Sequence, residues 1–232
     1  MVATLSERVP TGVAGLDTLI EGGFLRGDFI LVAGKSGSGK TIFSTQFIYD
    51  GAVQYGEKGV YASFEEDAKT LKRNMLKFGF DLDKLEREGM IKVIDLEALQ
   101  SEGLSANLDY ILKVMDEFDA KRLVIDSLTA FLSGCSEKFE YRAFMHLIYR
   151  MLKMHDYTTV MTCSIPTGMD RLGLGIEEFI ADSLMLFENE VDGLELKTRL
   201  VIRKMRGTNH SKKLHNVIVS NKGLQIVPFA IT

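Results

Sequence analysis

The sequence predicts an α/β fold, with a mostly parallel central sheet flanked by helices and antiparallel strands at its C-terminal end. Three observations predict it. Short apolar runs alternate with helix-period segments from Phe29 to Thr162, a glycine-rich octet joins the first such run to the first helix, and beyond about Ala181 strand-like segments follow one another with no helix between.

Thr11 to Asp17 and Glu21 to Asp28 are rich in glycine and lack periodicity, so they read as turns leading into the first core strand, Phe29 to Ala33. After the octet, Ile42, Phe43, Phe47 and Ile48 give a helix an apolar stripe, and Gly56 is placed to stop it near Tyr55. A strand over Gly59 to Phe64 ends in Glu65-Glu66-Asp67. Leu71, Met75 and Phe78 then fall at helical spacing ahead of Gly79, a C-terminal cap, and a short charged helix is expected over Asp83 to Glu88. The strand Ile91 to Asp95, a helix carrying Leu108, Ile111, Leu112 and Met115, and the strand Arg122 to Asp126 follow. The next helix carries Phe144, Leu147, Ile148, Met151 and Leu152, and leads to the strand Thr158 to Thr162. Such alternation implies parallel βαβ units in a sheet covered on both faces. Strand-like segments over Ser183 to Glu188, Leu194 to Lys204, Leu214 to Ser220 and Leu224 to Val227, with turns at Asp192-Gly193, Gly207-Thr208-Asn209 and Asn221-Lys222-Gly223, predict antiparallel hairpins.

With 232 residues, 46% of them hydrophobic, the chain can bury a full core, and residues 1–232 are expected to form one domain. No apolar stretch has membrane-spanning length, and Met1 to Arg8 lacks the apolar centre of a signal peptide, so a cytoplasmic location is expected with no membrane partner. Cys135 and Cys163 fit no metal-ligand or CxxC spacing and are expected to be reduced packing residues, with Met145, Met151 and Met154 as core or interface filler. The four histidines lack metal-site spacing, and the net charge of −4 argues against a chain that coats nucleic acid.

The octet Gly34-Lys35-Ser36-Gly37-Ser38-Gly39-Lys40-Thr41 fits a glycine, four free positions and Gly-Lys-Thr, between a strand and a helix: a P-loop in its required context. Small residues let such a loop turn successive backbone N–H groups toward one phosphate, with a helix N-terminus behind them. Lys40 is expected to reach the β and γ phosphates and Thr41 to ligate magnesium. Hydrolysis also needs an acid that organises the metal and a group that activates water. Asp126 ends an apolar strand of the kind that runs beside the P-loop strand, and takes the first role. Glu65 and Glu66, adjacent at a strand end, point to opposite sides; Glu65 is the expected base, with Glu66 assisting.

Thr11-Gly12 with Gly15-Leu16-Asp17, the octet, Phe64-Glu65-Glu66, Asp126-Ser127, Glu177-Glu178-Phe179 with Asp182, and Lys204-Met205-Arg206-Gly207-Thr208 with His210 together resemble the KaiC-like branch of the RecA superfamily, over the whole chain and in order. The resemblance implies a RecA-like P-loop NTPase fold, ATP with Mg2+ as ligand, ATPase activity, and a homo-oligomeric ring, usually a hexamer, with nucleotide between neighbours. It gives Lys204 and Arg206 the part of fingers reaching the γ-phosphate held by the adjacent subunit. Regular alternation would put Leu196, Leu200, Ile202, Lys204 and Arg206 on one face, an apolar face ending in two cations that need an anion. The loop Ser164 to Gly175, which RecA-like proteins turn toward the central channel, holds Arg171 as its one basic residue and no aromatic, so it offers little to single-stranded DNA. Two other readings stand beside the regulatory ATPase: a DNA-stimulated recombinase relative, and an assembly module set by nucleotide; the sequence does not identify the protein partner that the ATPase would control.

Overall fold

The computed structural model describes residues 7–97, 101–135, 138–165 and 177–228. A two-stranded pairing of β1 (Arg8–Val9) with β2 (Phe24–Leu25) precedes β3 (Phe29–Gly34), α1 (Lys40–Tyr55), β4 (Gly59–Ser63), α2 (Ala68–Leu76), α3 (Leu82–Arg87) and β5 (Ile91–Asp95). Next come α4 (Ser101–Phe118), β6 (Arg122–Asp126), the single turn α5 (Leu128–Phe131), α6 (Lys138–His155), β7 (Thr158–Ser164) and α7 (Glu177–Ile180). The chain then runs through β8 (Ser183–Asp192), β9 (Glu195–Met205), β10 (His215–Ser220) and β11 (Gly223–Pro228). The predicted loop beyond Ile165, with Arg171, lies outside the described residues.

Among the described residues nine strands form the main sheet, in the order β11-β10-β9-β8-β3-β7-β6-β4-β5. From β8 across to β5 all pairings are parallel, and the β8-β9, β9-β10 and β10-β11 pairings are antiparallel, as the sequence predicts. The P-loop strand and the Asp126 strand are not neighbours, contrary to expectation: β7 lies between β3 and β6. Chain order does not fix spatial order in a sheet whose crossovers are helices.

Strand alternation sorts the core into two layers. Phe29, Leu31 and Ala33 of β3 face α4 and α6 together with Leu123, Ile125, Met161, Leu108, Ile111, Met145 and Ile148. Ile30 and Val32 face α1 and α2, with Tyr61, Val124, Val160, Phe43, Phe47 and Leu71. Along α6 the buried positions are Tyr141, Met145, Ile148 and Leu152, whereas Leu147 and Met154 are exposed, so the buried stripe is narrower than the predicted one. Both cysteines are thiols, and no described helix is long and apolar enough to cross a membrane.

At the amino ends of the parallel strands, Arg122 is buried beneath α1. Its Nε donates to Glu57 at 2.7 Å, one terminal nitrogen donates to the Phe47 carbonyl at 2.9 Å, and its guanidinium lies 4.6 Å from the Phe47 ring centre. Gly51 makes room for it, since a Cβ there would come within 2.5 Å of Arg122 Cδ and Nε. Burial pushes the Glu57 carboxyl upward, but hydrogen bonds from Arg26 and Arg122 outweigh it and hold the group below its ordinary range. That contribution is therefore complete above the ordinary glutamate range and is lost as pH falls from there through the lowered folded value. Arg122→Ala, which strands Glu57 and opens a void, is expected to cost about 3–5 kcal/mol in denaturant unfolding at neutral pH; a loss below about 1 kcal/mol would contradict this account.

Candidate functional site: a phosphate cradle and a distant cation pair

The loop from Lys35 to Gly39 leaves the carboxyl end of β3 and enters α1. Gly39 precedes the helix with φ 93°, a left-handed conformation that costs a glycine nothing. Gly34 has no room for a side chain, because a Cβ would come within 2.5 Å of the Phe187 carbonyl oxygen and 2.6 Å of Ser38 Oγ. β3 therefore runs flush against β8 at the point where the loop starts. Ser38 Oγ is buried and has no hydrogen-bond partner among the described residues.

Lys40 is 8% exposed, and its Nζ folds back to donate to the carbonyls of Gly34 at 2.9 Å and Lys35 at 3.0 Å. Burial pulls its ammonium below the ordinary lysine range, and the carboxylates of Asp126 and Glu65 offset this only in part. The loop thus holds a poorly solvated cation, for which a phosphate is the fitting counter-ion.

Asp126 ends β6 on the α1 side of the sheet and is buried. Tyr61 donates its hydroxyl to Oδ2 at 2.6 Å, and Thr162 donates to Oδ1. Burial first, then the Asp126 charge, raises the Tyr61 hydroxyl well above its ordinary range, so it stays a donor. Ser44 Oγ lies 3.4 Å from the Tyr61 oxygen and donates to the Thr41 carbonyl at 3.1 Å, linking the first turn of α1 to the aspartate. Among the described residues no three His, Cys, Asp or Glu side chains cluster to hold a metal by themselves. Magnesium suits such a sparse set, since it keeps waters and shares one or two protein oxygens with phosphates. A carboxylate has about four lone-pair positions, so its two hydroxyl partners leave Asp126 able to take part; Thr41, the other expected ligand, stands in the first turn of α1.

After β4 the chain bends, and Glu65 and Glu66 go to opposite sides as expected. Glu65 Oε1 accepts from Ser127 Oγ at the end of β6, whereas Glu66 Oε2 lies 3.5 Å from Asn74 Nδ2 on α2. Asp67 is the residue that caps α2, accepting from the Thr70 amide at 2.8 Å, so neither glutamate is used for that purpose. Ser127 also caps α5 through the Ala130 amide at 3.1 Å, and the peptide joining Asp126 to Ser127 is cis.

Lys204 and Arg206 are not on the apolar face of β9. Met185 pairs with Ile202 but Leu184 pairs with Lys204, leaving Arg203 as an extra residue. This irregularity sends Met205 into the core beside Ile202 and turns Lys204 and Arg206 toward α7; Leu196, expected on the same face, is 68% exposed. Lys204 Nζ donates to the carbonyls of Glu178, Phe179 and Ala181 at 3.0, 3.1 and 2.6 Å. Arg206 donates to Phe179 O at 3.0 Å and to Asp182 Oδ1 at 3.3 Å. Burial, then the charge of Arg206, pulls Lys204 below its ordinary range. Arg206 N bonds Asp182 O and Asp182 N bonds Phe29 O, so the pair sits at the amino end of β3. The P-loop is at the other end, ~16 Å away at ~3.3 Å per strand residue.

The sequence reading missed Tyr61, Thr162 and Ser44. A tyrosine and a threonine inside otherwise aliphatic strands were the available signal. It also missed a second buried polar group, in which Lys153 lies 2.7 Å from Asp182 and 3.5 Å from Asp28.

A buried parallel strand, a glycine-bordered loop, an enclosed lysine and a strand-end aspartate define a P-loop domain of the RecA type, with the ligand site at the carboxyl ends of the strands. The model of the family described as "ATPase: KaiC" matches residues 9–230. The chain is 32% identical to the UPF0273 protein of Methanocaldococcus jannaschii, over 96% of its own length and 97% of that protein. It is 33% identical to the circadian clock oscillator protein KaiC of Parathermosynechococcus lividus, covering 94% of this chain but 42% of that one. The chain thus spans less than half of that clock protein. The crystal structure of a KaiC-like protein from Pyrococcus horikoshii superposes with a TM-score of 0.88 and 38% identity, over 97% of this chain and all of that one. The chain belongs to the KaiC ATPase family.

Burial, then the Asp182 charge, raises the Asp28 carboxyl from 3.8 to about 6 against the opposing pull of Lys153. The folded chain keeps this proton where the unfolded chain has lost it. Stability from this group is therefore full below the unfolded value, falls as pH rises to the folded value, and is level above it. Asp28→Asn is expected to be more stable than the parent near neutral pH, by up to about 3 kcal/mol at 1.36 kcal/mol per unit, with the gain vanishing in acid. Urea unfolding across that range checks it.

Proposed function

We propose that residues 1–232 act as one ATPase domain that binds ATP with magnesium at Gly34 to Thr41 and hydrolyses it slowly. Turnover depends on a homo-oligomeric ring of KaiC type, six-membered as the family resemblance implies. The observation that carries this reading is the convergence of a buried lysine, a buried aspartate and a serine-held glutamate on one glycine loop. Lys40 would exchange its contacts with two carbonyls for the β and γ phosphates, and the loop amides would hold the remaining phosphate oxygens. When bound by Thr41 and Asp126 with the phosphates, magnesium supplies charge neutralisation at the transferring group. Tyr61 and Thr162 hold the Asp126 carboxylate in place. Glu65, steadied by Ser127, takes a proton from water as the water oxygen bonds to the γ-phosphorus and the bond to the β–γ bridging oxygen breaks, leaving ADP and phosphate. Glu66 assists from the α2 side. Lys204 and Arg206 are too far from the chain's own loop to serve it, which supports their action on nucleotide held by an adjacent copy. Assembly would then control turnover, a regulatory arrangement whose output a further protein partner would receive.

Lys40→Ala is expected to abolish ATP binding in titration calorimetry. Glu65→Gln is expected to bind normally and turn over about 100-fold more slowly or worse; parental turnover in that variant removes Glu65 from the role of base. Turnover per chain should rise with protein concentration and ignore added single-stranded DNA. Stimulation by DNA that is lost at high salt would instead favour the recombinase-like reading.

A further inference from the structure

Asp182 is 5% exposed and stands at the centre of the amino-end polar group. Its Oδ2 accepts from the Phe29 amide at 3.0 Å and pairs with Lys153 Nζ at 2.7 Å. Its Oδ1 accepts from Arg206 at 3.3 Å and from the Tyr149 hydroxyl at 3.3 Å. One carboxylate thus joins the first residue of the P-loop strand, α6 and the residue just past β9. Lys153 also reaches Asp28, offsetting the repulsion between two buried carboxylates.

Arg206 itself is half in solvent, with its side chain 51% exposed. A free arginine at a strand end samples many rotamers, and fixing one costs conformational entropy. Here NH1 is held by Asp182 and NH2 by the Phe179 carbonyl, while the planar guanidinium has five donors in all. Two contacts fix its plane and leave donors facing outward. That is preorganisation toward an anion outside the chain, and Lys204, hydrogen-bonded to carbonyls of the same turn, adds a second positive charge beside it.

We propose that Asp182 is a positioning residue: it holds Arg206 in the orientation needed to meet the γ-phosphate of a nucleotide carried by a neighbouring copy. This rests on the reading that Arg206 acts in trans. It assigns Asp182 no contact with the nucleotide and no part in assembly, only in the geometry of the finger. Its loss should therefore lower kcat, spare KM, and have no effect where Arg206 is already missing.

Mixed assemblies test it. Lys40→Ala copies, which keep Arg206 but hold no nucleotide, are combined with Arg206→Ala copies, which hold nucleotide but lack the arginine finger. Turnover is expected to return on mixing. With Lys40→Ala/Asp182→Asn copies in place of the first, kcat is expected to be about tenfold lower at unchanged KM. Arg206→Ala alone and Arg206→Ala/Asp182→Asn are expected to turn over equally. If the first mixture stays inactive, action in trans is wrong and the role of Asp182 falls with it. If the first mixture is active and the second equally so, the trans reading stands and the Asp182 proposal is overturned. Should Asp182→Asn fail to fold, Asp182→Glu keeps the charge but displaces the oxygen by one methylene; full activity of its mixture overturns the proposal, and a partial loss of kcat at constant KM supports it.

Discussion

The parallel register that holds β3 between β7 and β8 is the constraint on which the rest of the structure depends. Gly34 is opposite Ser164 on one side and Phe187 on the other, so the strand is hydrogen-bonded on both edges up to the residue where the loop begins. A loop leaving a strand clamped in this way has a fixed starting direction, and its glycines can turn amides inward without the base of the loop shifting. The same clamp brings Thr162 beside Asp126, because β7 is the strand between the loop and the aspartate. Inserting β7 separates β3 from β6 by about 10 Å at ~4.8 Å per strand.

The two ends of the sheet handle buried charge differently. At the loop end the described partners of Lys40 are two carbonyls, and the charges of Asp126 and Glu65 offset its burial only in part. At the opposite end Arg122 is matched by Glu57 and Lys153 by Asp182, while Asp28 is the one poorly compensated group described there. Under-compensation at one end suits ligand binding, and compensation at the other suits stability. One amino-end carboxylate, Asp182, nevertheless accepts from Arg206, so the stabilising end is also where the external cation is anchored.

Much of this was legible in the sequence where a local rule governs the outcome. The octet, the stop at Gly56, the opposed Glu65 and Glu66 and the antiparallel C-terminal hairpins follow from glycine chemistry and two simple periods. Three kinds of feature were not legible. Spatial strand order was not, because helical crossovers let β7 enter between β3 and β6. The face of Lys204 and Arg206 was not, because one extra residue at Arg203 reverses alternation and a bulge leaves no mark in composition. The polar partners of Asp126 and Asp182 were not, because Tyr61, Thr162, Tyr149 and Lys153 meet them only after distant strands and helices have packed.

The separation of the cation pair from the loop, at opposite ends of one strand, has a consequence for symmetry. Under the proposed arrangement each copy offers a donor surface at one end and a receiving surface at the other, so the contact is heterologous rather than isologous. Such contacts either close on themselves or propagate. An open chain of copies would always hold one loop that no cation reaches and one cation pair with nothing to serve, whereas a closed ring has neither.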